Sequence, residues 1–376
     1  MGFLSMKASP SPFPILAPIS TIQLSCRAAS VIPSPPPTFN FKTEILEIST
    51  ATIAESHPQL LDLAKNGTLV LVTKPQYGAV PPWRSEFVEP DAIWLVGTTH
   101  VSQESASDVE RVIRAVNPQN VVVELCRSRQ VLGFNSAIDF IQLSSVENQQ
   151  LRSTMFSLTG TGFFGAIGRS INLGGQTALA LRLLLATFSS KLSSDINRPF
   201  GDEFRAARKV AEEIGAQLVL GDRPIEITLE RAWNSLKWKE KLSLVSTILR
   251  GMTSSVKPVE EPTGGDSSFQ LYEQLSLSYP SLLPPLIHER DTFLAWSLKR
   301  SKAVNKSVNV VGVIGKGHMN GVIYSLVSDT GNLRFRDLAG KKERGGWAAS
   351  VARDLVRDTV IGGVLWLIYE HFKPVF

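Results

Sequence analysis

Short apolar runs alternate with amphipathic segments along most of the chain. Each run is five to seven residues long and is bounded by glycine or polar residues, which is typical of strands covered on both faces. The four clearest runs are IWLVG (93–97), VVVEL (121–125), QLVLG (217–221) and VNVVGVI (308–314). They predict four strands of a sheet that is buried on both sides.

Amphipathic helices are predicted between these runs. Apolar residues recur at helical spacing over 106–116, until Pro118 stops the pattern, and again over 202–215, which ends on a glycine. Pro224 suits the first position of a further helix, and another is expected from about Met319. Strand, helix and strand within about thirty residues is the pattern of a right-handed βαβ unit with parallel strands.

These elements indicate an α/β fold: a mainly parallel central sheet with an inserted or appended helical part. The helical part is expected from residues 140–200 and 225–305. We predict the α/β domain over 85–335, after a disordered or transit segment over 1–45 and before a C-terminal basic segment and apolar helix over 336–376.

The charge of the chain lies partly in its first 43 residues. The 376 residues carry a formal net charge of +5, and residues 1–43 contain Lys7, Arg27 and Lys42 but no acidic residue, so the rest carries +2. That is too little for an electrostatic nucleic-acid footprint, so no nucleic-acid partner is expected. The acid-free, Ser- and Pro-rich start is typical of an organellar transit peptide. A chloroplast is favoured as the destination because arginine is scarce in this segment, and a mitochondrion is the alternative. A disordered tail that carries no targeting signal also stays open.

Polar residues follow each predicted strand. They are Thr98, Thr99 and His100 after the first, Glu124 at the end of the second, Asp222 and Arg223 after the third, and Lys316 and His318 after the fourth. Ligands of open parallel sheets bind beyond the carboxyl ends of the strands, so these side chains are expected at one edge. Thr98, Thr99, Asp222 and Lys316 are candidates for substrate binding.

Two histidines and one carboxylate at that edge suit a catalytic metal. His100, His318 and Glu124 would form a His₂Glu set with a position open for water, as for Zn or another first-row divalent ion such as Mn or Co. The chain has two cysteines, which excludes a zinc signature built on CxxC pairs. The alternative is a structural ion network in which Arg223 or Arg290 neutralises Glu124, since a buried carboxylate needs a partner.

A long helix is predicted from about Leu282 to Ala303. Its Arg290 shares a face with Phe293, Leu294 and Ser297, so it would reach a carboxylate, either that of Glu124 or that of a substrate. Glu289 and Asp291 are expected on a solvated face of the same helix.

The C-terminal segment holds an uncharged run from Thr359 to Tyr369 after the basic cluster at 341–344. Eleven helical residues span about 17 Å, short of a bilayer core of about 30 Å. Docking on the domain or an oligomer contact is therefore favoured over insertion, and peripheral membrane contact stays open.

Five long stretches resemble the TraB family: WLVGTTHVSQESASDVERVI, VVVELCRSRQ, LVLGDRPIEITLERAW, HERDTFLAWSLKRSKA and VVGVIGKGHMNGVI. They cover about residues 90–330 in order. The resemblance implies a wider superfamily with Tiki-type metalloproteases, marked by two GxxH motifs and a glutamate, and a plant organellar type of member. It implies His100, His318 and Glu124 as site residues, with Asp222, Arg223, Glu289 and Arg290 at family-typical polar positions. GKGHMNG departs from the expected GAGHVPG by placing Lys316 beside the second histidine.

Two functions are compatible with these residues. In the first, a divalent metal held by His100, His318 and Glu124 activates water against a peptide or ester carbonyl, while Arg290 or Arg223 stabilises the oxyanion. In the second, the protein binds no metal and is a peptide-binding or scaffold protein at an organelle membrane, which Lys316 suits better. A peptide or small-molecule ligand fits either function.

Overall fold

The computed structural model describes residues 33–77, 86–99, 103–126, 201–253, 279–329, 331–340 and Gly363. The helices in these ranges are α1 (Phe41–Glu44), α2 (Leu46–Ser56), α3 (Leu61–Lys65), α4 (Gln103–Val116), α5 (Asp202–Ile214), α6 (Ile225–Ser235), α7 (Trp238–Thr253), α8 (Glu289–Arg300), α9 (Lys316–Val327) and α10 (Phe335–Ala339). The strands are β1 (Leu69–Thr73), β2 (Ala92–Thr98), β3 (Asn120–Val123), β4 (Gln217–Leu220) and β5 (Asn309–Gly315). Short 3₁₀ turns at Pro58–Leu60, Lys74–Gln76, Pro280–Leu282 and Lys302–Val304 and a π turn at Pro284–His288 complete the described elements.

The five strands form one sheet in the order β1-β2-β5-β3-β4. Strand β1 runs antiparallel to β2, and the other neighbours are parallel, which confirms the α/β fold with a mainly parallel sheet. Strands β2 and β3 are separated by β5, so the helix between them crosses over an intervening strand. Since Thr98 pairs with Gly315 and Val123 pairs with both Val313 and Leu220, the carboxyl ends of the parallel strands meet at one edge.

Helices cover both faces of the sheet because successive strand residues point to opposite sides. In β2, Trp94 and Val96 pack with α2, α3, α4 and α5, whereas Ile93 and Leu95 pack with α8 and α9. All four of these side chains are buried. The runs are largely apolar in the sequence because most side chains on both sides of the strands lie in a core.

Several elements differ from the sequence predictions. Helix α9 begins at Lys316, three residues before the predicted Met319, which puts His318 in its first turn. Pro224 is the residue before α6 and not its first helical residue. The predicted helical segment 140–200 lies outside the described residues.

The sheet and its cores include residues that precede the predicted domain start at 85. Strand β1 adds an antiparallel edge, and its Val70 and Val72 lie in the same core as Phe39 and Phe41. Residues 1–32 lie outside the described ranges, as does 341–376 apart from Gly363. Within the described part of the chain, no helix combines the length and apolar character that crossing a bilayer requires.

A buried ionic cluster lies at the amino-terminal edge of the sheet, where α8 ends. Arg300 Nε is 2.7 Å from Glu89 Oε1, and Lys299 Nζ is 3.5 Å from Asp329 Oδ2. Burial lowers the pKa of Lys299, and the nearby carboxylate of Asp329 opposes that shift. These four charged residues are all buried, so each relies on the others for compensation.

Candidate active site at the carboxyl edge of the sheet

Three of the predicted strand-end residues meet in one buried cluster. Glu124 follows β3 directly, Asp222 follows β4 by two residues, and His318 follows β5 by three. All three are buried, with 4–7% of each residue exposed. The expectation of one shared edge is confirmed for them. His100 lies outside the described residues, although β2 ends at the same edge.

Glu124 is held between a strand end and a helix start. Its Oε2 accepts a hydrogen bond of 2.9 Å from the backbone N–H of Gly315, the residue before α9. Its Oε1 accepts one of 2.8 Å from Arg290 Nη2. A carboxylate at the amino-terminal end of a helix is stabilised by the helix dipole. Glu124 therefore has compensation from backbone and side chain together.

Arg290, in the first turn of α8, joins two carboxylates. Its Nη2 donates to Asp222 Oδ2 at 2.9 Å and its Nε donates to Asp222 Oδ1 at 3.2 Å, which is a bidentate contact. The same Nη2 reaches Glu124 Oε1. Of the two arginines that the sequence offered as the partner of Glu124, the structure places Arg290 there.

His318 lies between two carboxylates. Its Nδ1 is 2.5 Å from Asp291 Oδ1, and its Nε2 is 3.3 Å from Glu124 Oε1. Burial alone would lower the pKa of His318, but Glu124 and Asp291 outweigh it and raise that pKa above its ordinary value. The imidazole therefore binds a second proton more tightly than a free histidine does, and the same two carboxylates would favour another cation in the place of that proton.

Two glycines allow the helices to come this close. A Cβ on Gly321, one turn after His318, would lie 2.6 Å from Asp291 Cγ and closer still to its Oδ2. A Cβ on Gly97 would lie 3.1 Å from Met319 Cγ, so glycine also lets β2 lie against the start of α9. Gly97, at the end of β2, and Gly321, one turn after His318, thus both serve close packing at this edge.

Arg223 belongs to a neighbouring network and does not touch Glu124. Its Nη1 donates to Glu289 Oε2 at 2.7 Å, its Nη2 to the Pro285 carbonyl at 2.7 Å, and its Nε to Thr228 Oγ1 at 3.0 Å. Burial lowers the pKa of Arg223, and Glu289 opposes that shift. Arg231 Nη1 also reaches Glu289 Oε2, at 3.0 Å.

The solvated face predicted for Glu289 and Asp291 is wrong. Burial alone would raise the pKa of Glu289, but Arg223 and Arg231 together hold it below its usual range. Asp291 is 3% exposed and faces His318. Spacing along one helix could not show this, because the partners come from the turn before α6, from α6 itself and from α9. The only sequence signal was the charge run HERD directly before an apolar helical face.

The candidates for substrate binding lie at the same edge with different exposure. Thr98 is fully buried, and its Oγ1 donates to the Ile314 carbonyl at 3.2 Å. Thr99 is half-buried, and its N–H donates to Ser105 Oγ at 3.0 Å. Lys316 is exposed at the first position of α9, and Asp222 is held by Arg290.

The distance between His318 Nε2 and Glu124 Oε1 is that of an ion pair and is also compatible with two ligands of one metal ion. Two donor atoms about 2.0–2.2 Å from a tetrahedral ion lie roughly 3.3–3.5 Å apart, and Nε2 and Oε1 are 3.3 Å apart. A ligating histidine also keeps its other ring N–H on a carboxylate, as Nδ1 does on Asp291. In the described ranges no group of three or more His, Cys, Asp or Glu side chains could hold a metal ion, and the third predicted ligand, His100, lies outside them.

One histidine of this region received no role in the sequence analysis. His288 ends the π turn before α8, and its Nδ1 is buried with no hydrogen-bond partner in the structure. Burial lowers the pKa of His288, which keeps the imidazole neutral at physiological pH. His288 directly precedes Glu289, so a neutral imidazole lies at the amino-terminal end of α8, the end at which Arg290 and Asp291 join the buried cluster.

Comparison with known proteins matches the region that contains the cluster. The model of the TraB/PrgY/gumN family matches residues 82–327, which is more than half of the chain. TraB domain-containing proteins of Homo sapiens and Mus musculus are 28% and 27% identical over 247 residues, covering 61% of this chain and 61% of each relative. An uncharacterized protein of Methanocaldococcus jannaschii is 26% identical over 240 residues, covering 61% of this chain and 52% of that protein. The chain thus spans about half to three fifths of the length of these relatives.

Proposed function

The chain belongs to the TraB/PrgY/gumN family, and from that premise we propose that the buried cluster is the active site of a metal-dependent hydrolase. The substrate class is a peptide or an ester. The observation that carries the proposal is His318, whose Nε2 lies 3.3 Å from Glu124 while Asp291 holds its Nδ1. This pairing of a histidine, a carboxylate that orients it and a second carboxylate beside it is common at metal sites.

In this proposal His318, Glu124 and His100 hold one divalent ion, Zn, Mn or Co. When bound, such an ion lowers the pKa of a water molecule and polarises a carbonyl group. Asp291 keeps the His318 ring in one orientation and makes its Nε2 a better electron donor. Loading the site requires His318 to lose its extra proton, so metal binding should weaken as the pH falls.

The two arginines position other groups. Arg290 fixes Glu124 and Asp222 on adjacent strand ends through 2.8–3.2 Å contacts. Arg223 has a fully buried side chain whose nitrogens donate within the protein, so in the proposal it orients Glu289 and the end of α8. Lys316 is exposed at this edge and is the proposed contact for an anionic group of the substrate.

Elemental analysis of protein purified without a histidine tag tests this function. Wild type should contain stoichiometric metal, and His100→Ala/His318→Ala should contain none. Asp291→Asn keeps the size of the side chain but removes its charge, and should weaken metal retention about 10- to 100-fold. His57→Ala is the matched control, because that imidazole lies against Trp94 and outside the cluster.

A second function is favoured by one contact. Arg290 already pairs with both Glu124 and Asp222, and His318 lies between Glu124 and Asp291, so the cluster can be stable as an ion network without any metal. In that case the protein is a peptide-binding or scaffold protein at an organelle membrane. Absence of metal from wild type and from the double variant, with unchanged folding of both, would support this function and reject the hydrolase.

We also propose that the protein is imported into a plastid, as an organellar member of the family within the superfamily that includes Tiki-type metalloproteases. The support is the acid-free composition of residues 1–43. A fluorescent fusion of residues 1–60 should reach chloroplasts, and a mitochondrial or cytosolic signal would contradict the proposal.

A further inference from the structure

Helix α7 presents an apolar face to solvent. Trp238 and Leu242 are 65% and 70% exposed, and four-residue spacing puts them on the same side of the helix. Other exposed large apolar residues in the described chain include Ile48 on α2 and Phe335, whose ring packs against those of Phe293 and Trp296. Single exposed apolar residues are ordinary, whereas a tryptophan and a leucine side by side mark an interaction surface.

Basic residues surround this face. Lys237 and Lys239 are exposed, and Lys241 Nζ lies 5.1 Å from the ring centroid of Trp238. The same Nζ lies 5.2 Å from the ring of Trp233, so a positive charge stands between two indoles. The neighbouring acidic residue, Glu240, caps the amino-terminal end of the helix, where its carboxylate accepts a 2.7 Å hydrogen bond from the Lys237 backbone N–H.

The opposite side of α7 is anchored to the body of the protein. Leu244 is buried, and Ser243 Oγ lies 3.3 Å from the hydroxyl of Tyr279, which is also buried. Just before the helix, Ser235 Oγ donates to the Ser281 carbonyl at 2.6 Å. The helix is thus held in place while Trp238 and Leu242 point away from the core.

We propose that this face of α7 docks on the surface of an anionic lipid bilayer. Tryptophan prefers the membrane–water interface, leucine adds apolar burial, and lysines reach from such a helix to anionic headgroups. A protein partner fits less well, because lysine is depleted at protein–protein interfaces, and here three lysines border two apolar residues. The contact is peripheral and involves the first two turns of the helix.

Co-sedimentation of the full chain with vesicles tests the proposal. Wild type should bind phosphatidylcholine vesicles that contain phosphatidylglycerol, should bind pure phosphatidylcholine vesicles weakly, and should be released by high salt. Trp238→Ser/Leu242→Ser and, separately, Lys237→Gln/Lys239→Gln should each weaken binding by about tenfold or more. Ile48→Ser, which removes an exposed apolar side chain from α2, should bind like wild type.

Fluorescence gives a second readout. Addition of anionic vesicles should shift the tryptophan emission to the blue, and Trp238→Phe should lose part of that shift while still binding. Wild-type binding by the Ser/Ser variant, or no binding by wild type, would overturn the proposal. A change of oligomeric state in the Ser/Ser variant, without vesicle binding by wild type, would instead assign the face to self-association.

Discussion

Replacing Gly321 with alanine tests whether α8 and α9 approach each other as closely as the contact between His318 and Asp291 requires. The new Cβ would lie 2.6 Å from Asp291 Cγ, whereas an ordinary contact begins at 3.4 Å. Asp291 must therefore withdraw further than that 0.8 Å difference (3.4 − 2.6), because its Oδ2 lies closer still to the new Cβ. Its carboxylate lies 2.5 Å from His318 Nδ1, so this withdrawal pulls the carboxylate away from the ring and stretches or breaks the hydrogen bond.

Two opposing effects set the expected change in the free energy of unfolding. Losing a hydrogen bond between charged groups costs about 1.5–3 kcal/mol. Glycine to alanine inside a helix normally stabilises by about 1 kcal/mol. The net expectation for Gly321→Ala is a loss of about 0.5–2 kcal/mol, opposite in sign to the ordinary effect of this substitution.

Urea unfolding of a double-mutant cycle measures this sign. In an Asp291→Ala background most of the clash is gone, and Gly321→Ala should then be neutral or stabilise by up to about 1 kcal/mol. The pKa of His318, followed by NMR, should fall in Gly321→Ala because the carboxylate that raises it is displaced. Equal stabilisation by Gly321→Ala in both backgrounds would refute the close approach of the two helices.

Two further perturbations probe the same cluster. Arg290→Met should lower the free energy of unfolding by about 3–5 kcal/mol, since it leaves Glu124 and Asp222 buried without their shared cation. Adding Glu124→Gln and Asp222→Asn should recover most of this loss. No recovery would mean that the arginine acts through packing alone. The pKa of His318 is raised by folding, so the folded state holds this proton to higher pH than the unfolded state, whose imidazole titrates near 6.5. The stabilisation from His318 is therefore complete below pH 6.5 and is lost as the pH rises through the folded pKa; denaturation midpoints across this window should fall in wild type and stay flatter in His318→Gln.

Much of the fold could be predicted because four strands lie in apolar surroundings on both faces. Each apolar run then marks a strand, and the first polar residue after it marks the edge where strands end. Glu124, Asp222 and His318 were placed together on this ground, which the structure confirms. Strand β1 was missed, although LVLVT is apolar, because no amphipathic helix and parallel strand follow it in the chain.

The partners inside the cluster could not be predicted from spacing. Arg223 and Arg290 were equally good partners for Glu124, and the choice depends on where α8 lies across the second face of the sheet. Asp291 looked like a surface residue because its own helix supplies no partner. Its contact with His318 depends on Gly321, a residue whose importance shows only when the two helices are side by side.

Helix α8 carries buried charges at both of its ends, and this fixes where it lies along its own axis. Arg290 and Asp291 are bound at one edge of the sheet, and Lys299 and Arg300 are bound at the other, about 14 Å away along the helix. A slide of one turn, about 5.4 Å, would unpair both clusters at once. A helix with only apolar contacts tolerates small shear movements over a sheet, but α8 is held by buried ion pairs at both of its ends. Any motion that opens the cluster around His318 must therefore come from loops and from α9, with α8 as the fixed reference.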